Sequence, residues 1–158
     1  MTSRIIIREY IPEDAQALAE IFYGTIHRVN IKDYTEEQVS VWAPRKSLEA
    51  AGWREKFART KPLVALVDSQ IAGYAVFEPD GQIDHFYCHH HWIGRGIGFA
   101  LINAIYERAK MLGVKRLYVE ASITAKPFFE RQGFAVTLEQ TVVKSGVKMT
   151  NYKMEKYL

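Results

Sequence analysis

IGRGIGFALINAIYERAKML, the stretch from Ile93 to Leu112, decides how the rest of this chain is read. It sets Gly94, Gly96 and Gly98 at the mouth of an amphipathic segment that follows a strand-like run, IDHFYC, Ile83 to Cys88. A helix N-terminus leaves about four backbone N–H groups unpaired and carries roughly half a positive charge, so it attracts phosphate. Glycine admits a bulky anion to those amides because no side chain stands in the way. Phe99, Ile102, Ile105, Ala109 and Leu112 recur at helical spacing, and Gly113 supplies the stop. The pattern predicts a helix whose first turn holds a phosphate-bearing ligand; a glycine-relieved turn without a ligand is the plainer alternative. Two nucleotide loops do not fit. The dinucleotide fingerprint needs G-x-G-x-x-G early in a βαβ unit, whereas these glycines run G-x-G-x-G after a mid-chain strand, and the Gly-Lys-Ser/Thr of a P-loop is absent.

Outward from this helix, the pattern predicts strand 4–8, helix 12–24 and a short helix 36–42. Thr35 and Gln38 form a capping box for the short helix, and Pro44 ends it. A further helix near 48–59 takes Ser47 as its cap. Strands 63–68 and 71–78 meet across Asp68-Ser69-Gln70, and Pro79-Asp80-Gly81 turns into strand 82–88. After the long helix come strand 115–121, helix 125–132 closed by Gly133, and strands 134–143 and 147–156 around Ser145-Gly146. The order β-α-α-β-β-β-α-β-α-β-β describes a mixed α/β sandwich.

Two motifs in this order resemble the GNAT family, the GCN5-related N-acetyltransferases. The family's signature is a strand, Gln/Arg-x-x-Gly-x-Gly/Ala, and a long helix; Gly96 and Gly98 match its last two fixed positions, and Ile93 stands where Gln or Arg is usual. EASITAKPFFERQGF, Glu120 to Phe134, is similar to the family's late strand–helix–strand segment, with Ser122 at the usual Asn and Phe129 at the usual Tyr. The Arg4-to-Arg8 strand and Pro12-Glu13-Asp14 resemble the start of such a domain. The TEEQ…W segment and the Pro-Phe-Phe-Glu ending resemble those of small, little-characterised bacterial members. The resemblance implies the GNAT acyl-CoA N-acyltransferase fold: a mostly antiparallel mixed sheet of about seven strands flanked by helices, with a splay between strands 82–88 and 115–121.

Composition sets the bounds. A chain of 158 residues suits one domain, 1–158, and buries roughly 70% of its unfolded surface. Hydrophobic content of 48% and charge of 25% are ordinary for a globular protein. No run approaches 18 apolar residues and no signal pattern opens the chain, so neither membrane insertion nor secretion is expected. The single cysteine, Cys88, excludes an internal disulfide and fits a cytoplasmic setting. A net charge of +3 with dispersed Lys and Arg gives no footprint for nucleic acid. A homodimer is compatible with the sequence, which does not fix the oligomeric state.

The resemblance further implies acetyl-CoA as donor, with its pantetheine arm in the splay against the backbone of Phe86, Tyr87 and Cys88. A main-chain N–H near Cys88 would face the thioester carbonyl, an oxyanion contact worth about 3 kcal/mol elsewhere. The pyrophosphate would rest on the amides of Ile93, Gly94, Arg95, Gly96, Ile97 and Gly98, with Ser122 and Phe129 also on the cofactor side. The expected reaction is direct acetyl transfer to the amine of a small molecule, without a covalent enzyme intermediate. A member that binds acyl-CoA as a sensor, without chemistry, is the alternative.

Among groups able to move protons, Asp84 comes first, because period-2 alternation puts it on the face of Cys88. His85, on the opposite face, is second, and Glu120 at the end of the other splayed strand is third. Phe129 has no hydroxyl with which to protonate sulfur; Ser122 or Tyr152 would have to serve, or thiolate leaves directly. Phe22, His27, Tyr34 and Trp42 are candidates for an aromatic acceptor pocket, which suits a flat or cationic amine. His85, His89, His90 and His91 crowd near Cys88, as zinc ligands would. Neighbours on a strand point to opposite faces, so no metal site is expected from this run.

Overall fold

The computed structural model describes residues 4–158; residues 1–3 of the expected 1–158 domain lie outside the described residues. One sheet contains β1 (Ile5–Glu9), β2 (Leu63–Val67), β3 (Gln70–Phe77), β4 (Gln82–Cys88), β5 (Arg116–Ser122), β6 (Ala135–Lys144) and β7 (Val147–Tyr157). Its order is β1-β2-β3-β4-β5-β7-β6, and each neighbouring pair is antiparallel except β4 with β5. That parallel pairing joins Gln82 to Tyr118 and Ile83 to Val119 and stops there. Beyond those residues the two strands part, which gives the splay that the family resemblance implied.

Helices cover both faces. On one, α4 (Ile97–Leu112) buries Ile97, Leu101, Ile102, Ile105 and Ala109 against Leu63, Ala65, Ala75 and Ile83. Each large aliphatic side chain removed from water there contributes about 2 kcal/mol. On the other, α1 (Ala15–Arg28) and α3 (Arg54–Thr60) pack Leu18, Ile21 and Phe57 on Val64, Tyr74 and Val76. Because β3 is covered on both sides, it reads as a nearly continuous apolar run. A third cluster ties α1 and α2 (Glu36–Trp42) to β7 through Phe22, Ile26, Val39 and Met149. Among the described residues, no helix is long and apolar enough to cross a membrane.

Several local expectations change. Phe99 and Leu112 are exposed, so the buried stripe of α4 starts at Ile97 and runs through Leu101 instead. The helix expected from residue 12 begins as a 3-10 turn at Pro12–Asp14 and continues to Arg28. There, buried Asp14 accepts from Arg8 at 2.7 and 3.0 Å and from the Ile11 N–H at 2.9 Å. The helix expected over 48–59 is broken into 3-10 turns at Arg45–Leu48 and Ala50–Gly52, and regular helix starts only at Arg54. Ser47 is no helix cap: its hydroxyl donates to the Pro44 carbonyl at 2.6 Å, and its own carbonyl accepts from the Trp53 indole at 2.8 Å. Those bonds, with Glu49 in an extended conformation, replace the helical ladder. The capping box of α2 forms as read, with Gln38 N–H on Thr35 Oγ1 at 3.1 Å and Thr35 N–H on Gln38 Oε1 at 2.8 Å.

Candidate active site

The phosphate-binding candidate is built by the turn between β4 and α4. Gly96 caps α4 at φ 89°, and Gly94 has φ 78°, a region where a side chain is strained. The first intrahelical donor is Ala100, bonded to the Gly96 carbonyl at 3.0 Å, so the N–H groups of Ile97, Gly98 and Phe99 have no acceptor in the helix. Gly98 is needed for space: a Cβ there would lie 3.0 Å from the ring of Phe128. Arg95 stacks over Trp92, its guanidinium 5.3 Å from the ring centroid.

Hydrogen-bond alternation assigns the strand next to this turn. His89 N–H donates to the Ala72 carbonyl at 2.8 Å, and the register pairs Gly73 with Cys88, Tyr74 with Tyr87 and Ala75 with Phe86. In an antiparallel ladder every second pair exchanges hydrogen bonds. Tyr87 therefore spends its backbone on β3, while Phe86 and Cys88 turn theirs toward the gap beside β5. Tyr87 is thus corrected: its backbone is not free for a ligand, and its ring faces the cavity described below. Of the two outward-facing residues, Cys88 has its carbonyl taken by Thr25 Oγ1 at 2.8 Å, leaving its N–H. The Cys88 thiol is pushed up to about 12 by burial, so it stays protonated and is a poor nucleophile.

On the α1–α3 side of the splay lies a cavity of about 510 Å³. Phe22, Tyr34, Trp42, Trp53 and Tyr87 give it aromatic walls, and Lys56, Asp84, His85, Glu120, Ser122 and Lys144 bring polar groups. Asp84 and His85 both face it, which corrects the expectation that they point to opposite faces. The reason is a bulge: Val76 pairs with His85 and Phe77 with Ile83, so Asp84 is an extra residue in β4 and alternation is lost. Lys56 Nζ joins the two, 2.7 Å from Asp84 Oδ2 and 3.4 Å from His85 Nε2.

His85 is almost fully buried, stacked on Phe22 at 5.6 Å and sharing a 2.9 Å hydrogen bond with the Tyr74 hydroxyl. Burial first, then the charge of Lys56, pulls it down to about 4, against the opposite pull of Asp84; it is neutral at pH 7. Glu120, on the facing strand, accepts from the Gln140 amide at 3.2 Å.

Other candidates occupy structural positions. His27 lies outside the cavity, stacked on Tyr23 at 4.1 Å with Nε2 2.7 Å from the Ala43 carbonyl, where it pins α1 to the end of α2. Tyr34 lines the cavity, but its hydroxyl donates to the Thr150 carbonyl at 2.8 Å and accepts from the Ile123 N–H at 2.9 Å. Ser122 Oγ accepts from the Ala125 N–H at 3.0 Å, capping the turn into α5 (Lys126–Arg131). Phe129 is 1% exposed and sealed among Phe86, Phe128 and Phe134, so it does not line the cavity. Tyr152 also lies elsewhere, its ring under Lys126 Nζ at 5.2 Å. Sequence reasoning missed Trp53, Lys56 and Lys144; Trp53 and Lys56 fall in a segment read only as a helix capped by Ser47, and no local motif marks any of the three.

Residues 30–156 match the sequence family described as Acetyltransferase (GNAT) domain. The chain is 33% identical over 152 residues to the uncharacterized N-acetyltransferase YafP of Escherichia coli K12, across 96% of this chain and 95% of that one. It superposes with a TM-score of 0.92 on the crystal structure of a GCN5-related N-acetyltransferase (Aminotransferase, Class-II) from Rhodopseudomonas palustris, 33% identical, covering 100% of this chain and 98% of that one. The PaiA N-acetyltransferase of Thermoplasma acidophilum, solved with coenzyme A, has a TM-score of 0.78 at 19% identity, covering 98% and 99% of the two chains. YncA of Salmonella typhimurium, solved with its cofactor acetyl-CoA, has a TM-score of 0.75 at 19% identity, covering 98% and 94%. The last two likenesses speak to fold alone.

Proposed function

The chain belongs to the GNAT acetyltransferase family, and on that premise we propose that residues 1–158 form one domain that moves an acetyl group from acetyl-CoA to the amine of a small molecule. Acetyl-CoA, when bound, supplies the acyl group already activated as a thioester. The carrying observation is the continuity between two features: the outward backbone of Phe86 and Cys88 in the splay, and the amides of Ile97 to Phe99 at the head of α4, which have no acceptor among the described residues. An extended, hydrogen-bonding arm ending in a pyrophosphate fits this path. The added strand would pair with β4, and the phosphates would meet the helix dipole at glycines that leave them room. A protonated Cys88 thiol supports direct transfer.

The acceptor enters by the aromatic cavity. Asp84 on β4 and Glu120 on β5 flank the splay, so a cationic amine finds a carboxylate on either side. His85 is a free base at neutral pH, but it does not suit the task of stripping an ammonium ion. Moving a proton from a group near 10 to one near 4 is uphill by about 8 kcal/mol. The acceptor therefore reacts as the free amine, its ammonium proton lost to solvent before attack, and neutral His85 takes the further proton that the nitrogen sheds once the C–N bond has formed and passes it to the departing thiolate. Asp84, held by Lys56, and Glu120 are the groups that attract the acceptor. The test is calorimetric titration with coenzyme A and acetyl-CoA, followed by thiol release with a panel of small amines. Saturable binding with amine-dependent thiol release supports the reading. Binding without turnover for every amine would make the chain an acyl-CoA sensor, and no binding to either form would overturn both.

A further inference from the structure

The histidine run after β4 is not strand. His90–Trp92 forms one 3-10 turn with His89 at its N-cap, and the turn brings the three neighbouring imidazoles to one place instead of alternating them. Ring centroids are 4.3 Å apart for His89 and His90, 4.2 Å for His90 and His91, and 5.0 Å for His89 and His91. One ring nitrogen from each lies within 4.8 Å of the other two. We propose that His89, His90 and His91 together bind one divalent transition-metal ion of the zinc or copper class, at a site separate from the acyl-transfer cavity.

The chemistry suits imidazole-preferring ions over magnesium or calcium, which take oxygen ligands. In a tetrahedral zinc site with Zn–N near 2.1 Å, ligand nitrogens stand about 3.4 Å apart. Binding would draw the three nitrogens in from their present spacing, within 4.8 Å of one another, to that value. A second feature points the same way: His89 and His91 line a cavity of about 430 Å³ that Glu20 of α1 also lines. Among the described residues the Glu20 carboxylate accepts from the Gln16 amide alone, at 3.2 Å, so it has acceptor capacity left for a metal-bound water.

Closure has one cost. His89 Nδ1 accepts from the His91 N–H at 3.0 Å, so neutral His89 carries its proton on Nε2. Ligation through Nδ1 displaces that amide, and ligation through Nε2 moves the proton to Nδ1, so either route breaks the bond. The site is therefore weaker than a preformed one, since binding must first break this hydrogen bond. Its place gives it a structural consequence. Trp92 ends the turn and stacks under Arg95, so a bound ion would tie the exit of β4 to the loop at the head of α4.

The test uses the full chain without any histidine tag. Titration with Zn²⁺ by calorimetry, and with Co²⁺ by visible absorption, should give one equivalent per chain and a melting temperature that rises with metal. His89→Gln, His90→Gln and His91→Gln should each weaken binding at least tenfold, since chelation needs all three. His91 is exposed, so the melting curve of His91→Gln without metal should match the parent and exclude misfolding as the cause. Independent surface imidazoles would instead lose capacity while the affinity of the remainder stays unchanged. That pattern, or no saturable binding below about 1 mM, would overturn the site. Neither outcome depends on whether the chain transfers acetyl groups.

Discussion

Taking the protein from pH 7 to pH 5 should remove about 2 kcal/mol of stability through one side chain, His85. The ring is held near 4 chiefly by burial and secondly by Lys56, while an unfolded chain titrates its histidines near 6.5. The sign follows from the folded value being the lower one. As pH falls below 6.5 the unfolded state takes up the proton first, so the contribution is complete above 6.5 and is lost progressively toward 4. The gap amounts to about 3 kcal/mol in all, at about 1.4 kcal/mol per pH unit, and about 2 kcal/mol of it lies between pH 7 and 5. Urea unfolding of the parent and of His85→Gln at pH 7, 6, 5 and 4 isolates this contribution, since other groups titrate in both. Gln can still bond to the Tyr74 hydroxyl but carries no proton equilibrium. The parent should lose about 2 kcal/mol more than the variant between pH 7 and 5, equivalent to about 4–8 °C in Tm for a domain of this size. If the two stability curves run parallel, His85 is not held as a buried neutral base.

Three further outcomes bear on the site. Gly96→Ala forces a side chain into φ 89° at the head of α4; it should destabilise the fold by about 1–2 kcal/mol and weaken coenzyme A binding, both readable by melting and calorimetry. Phe129→Tyr places a hydroxyl inside a sealed ring cluster, so we expect a loss of about 1–3 kcal/mol and no acceleration; a rate gain above about tenfold would instead show that a missing general acid had been restored. The Cys88 thiol, raised to about 12, should resist iodoacetamide at pH 8 in the folded protein and react readily in urea, and fast labelling of the native form would contradict its burial.

Much of this architecture was legible because it rests on rules of short range. Glycines at a helix mouth, the Thr35–Gln38 box and the turn residues at 79–81 each carry their own stereochemistry, and the element order follows from them. Where several residues must be compared across strands, the reading fails. Period-2 alternation separated Asp84 from His85 because nothing local announces a bulge; it is visible only against β3, where Val76 and Phe77 set the count. The aromatic residues show the same limit. Phe22 and His27 sit on one helix with similar local signals, yet Phe22 walls the cavity while His27 is drawn to the Ala43 carbonyl. Lys56 went unread since its meaning lies in a partner 28 positions away, Asp84.

The histidine run makes the point most sharply. As an extension of β4 it would scatter its ligands, and as a single 3-10 turn it gathers them, on an identical sequence. The difference is set by where β4 stops pairing, at the His89–Ala72 hydrogen bond. One step further along the ladder would carry His90 and His91 onto opposite faces. The same hydrogen bond turns Cys88 outward, so the register that opens the splay to a ligand also frees the next three residues to cluster.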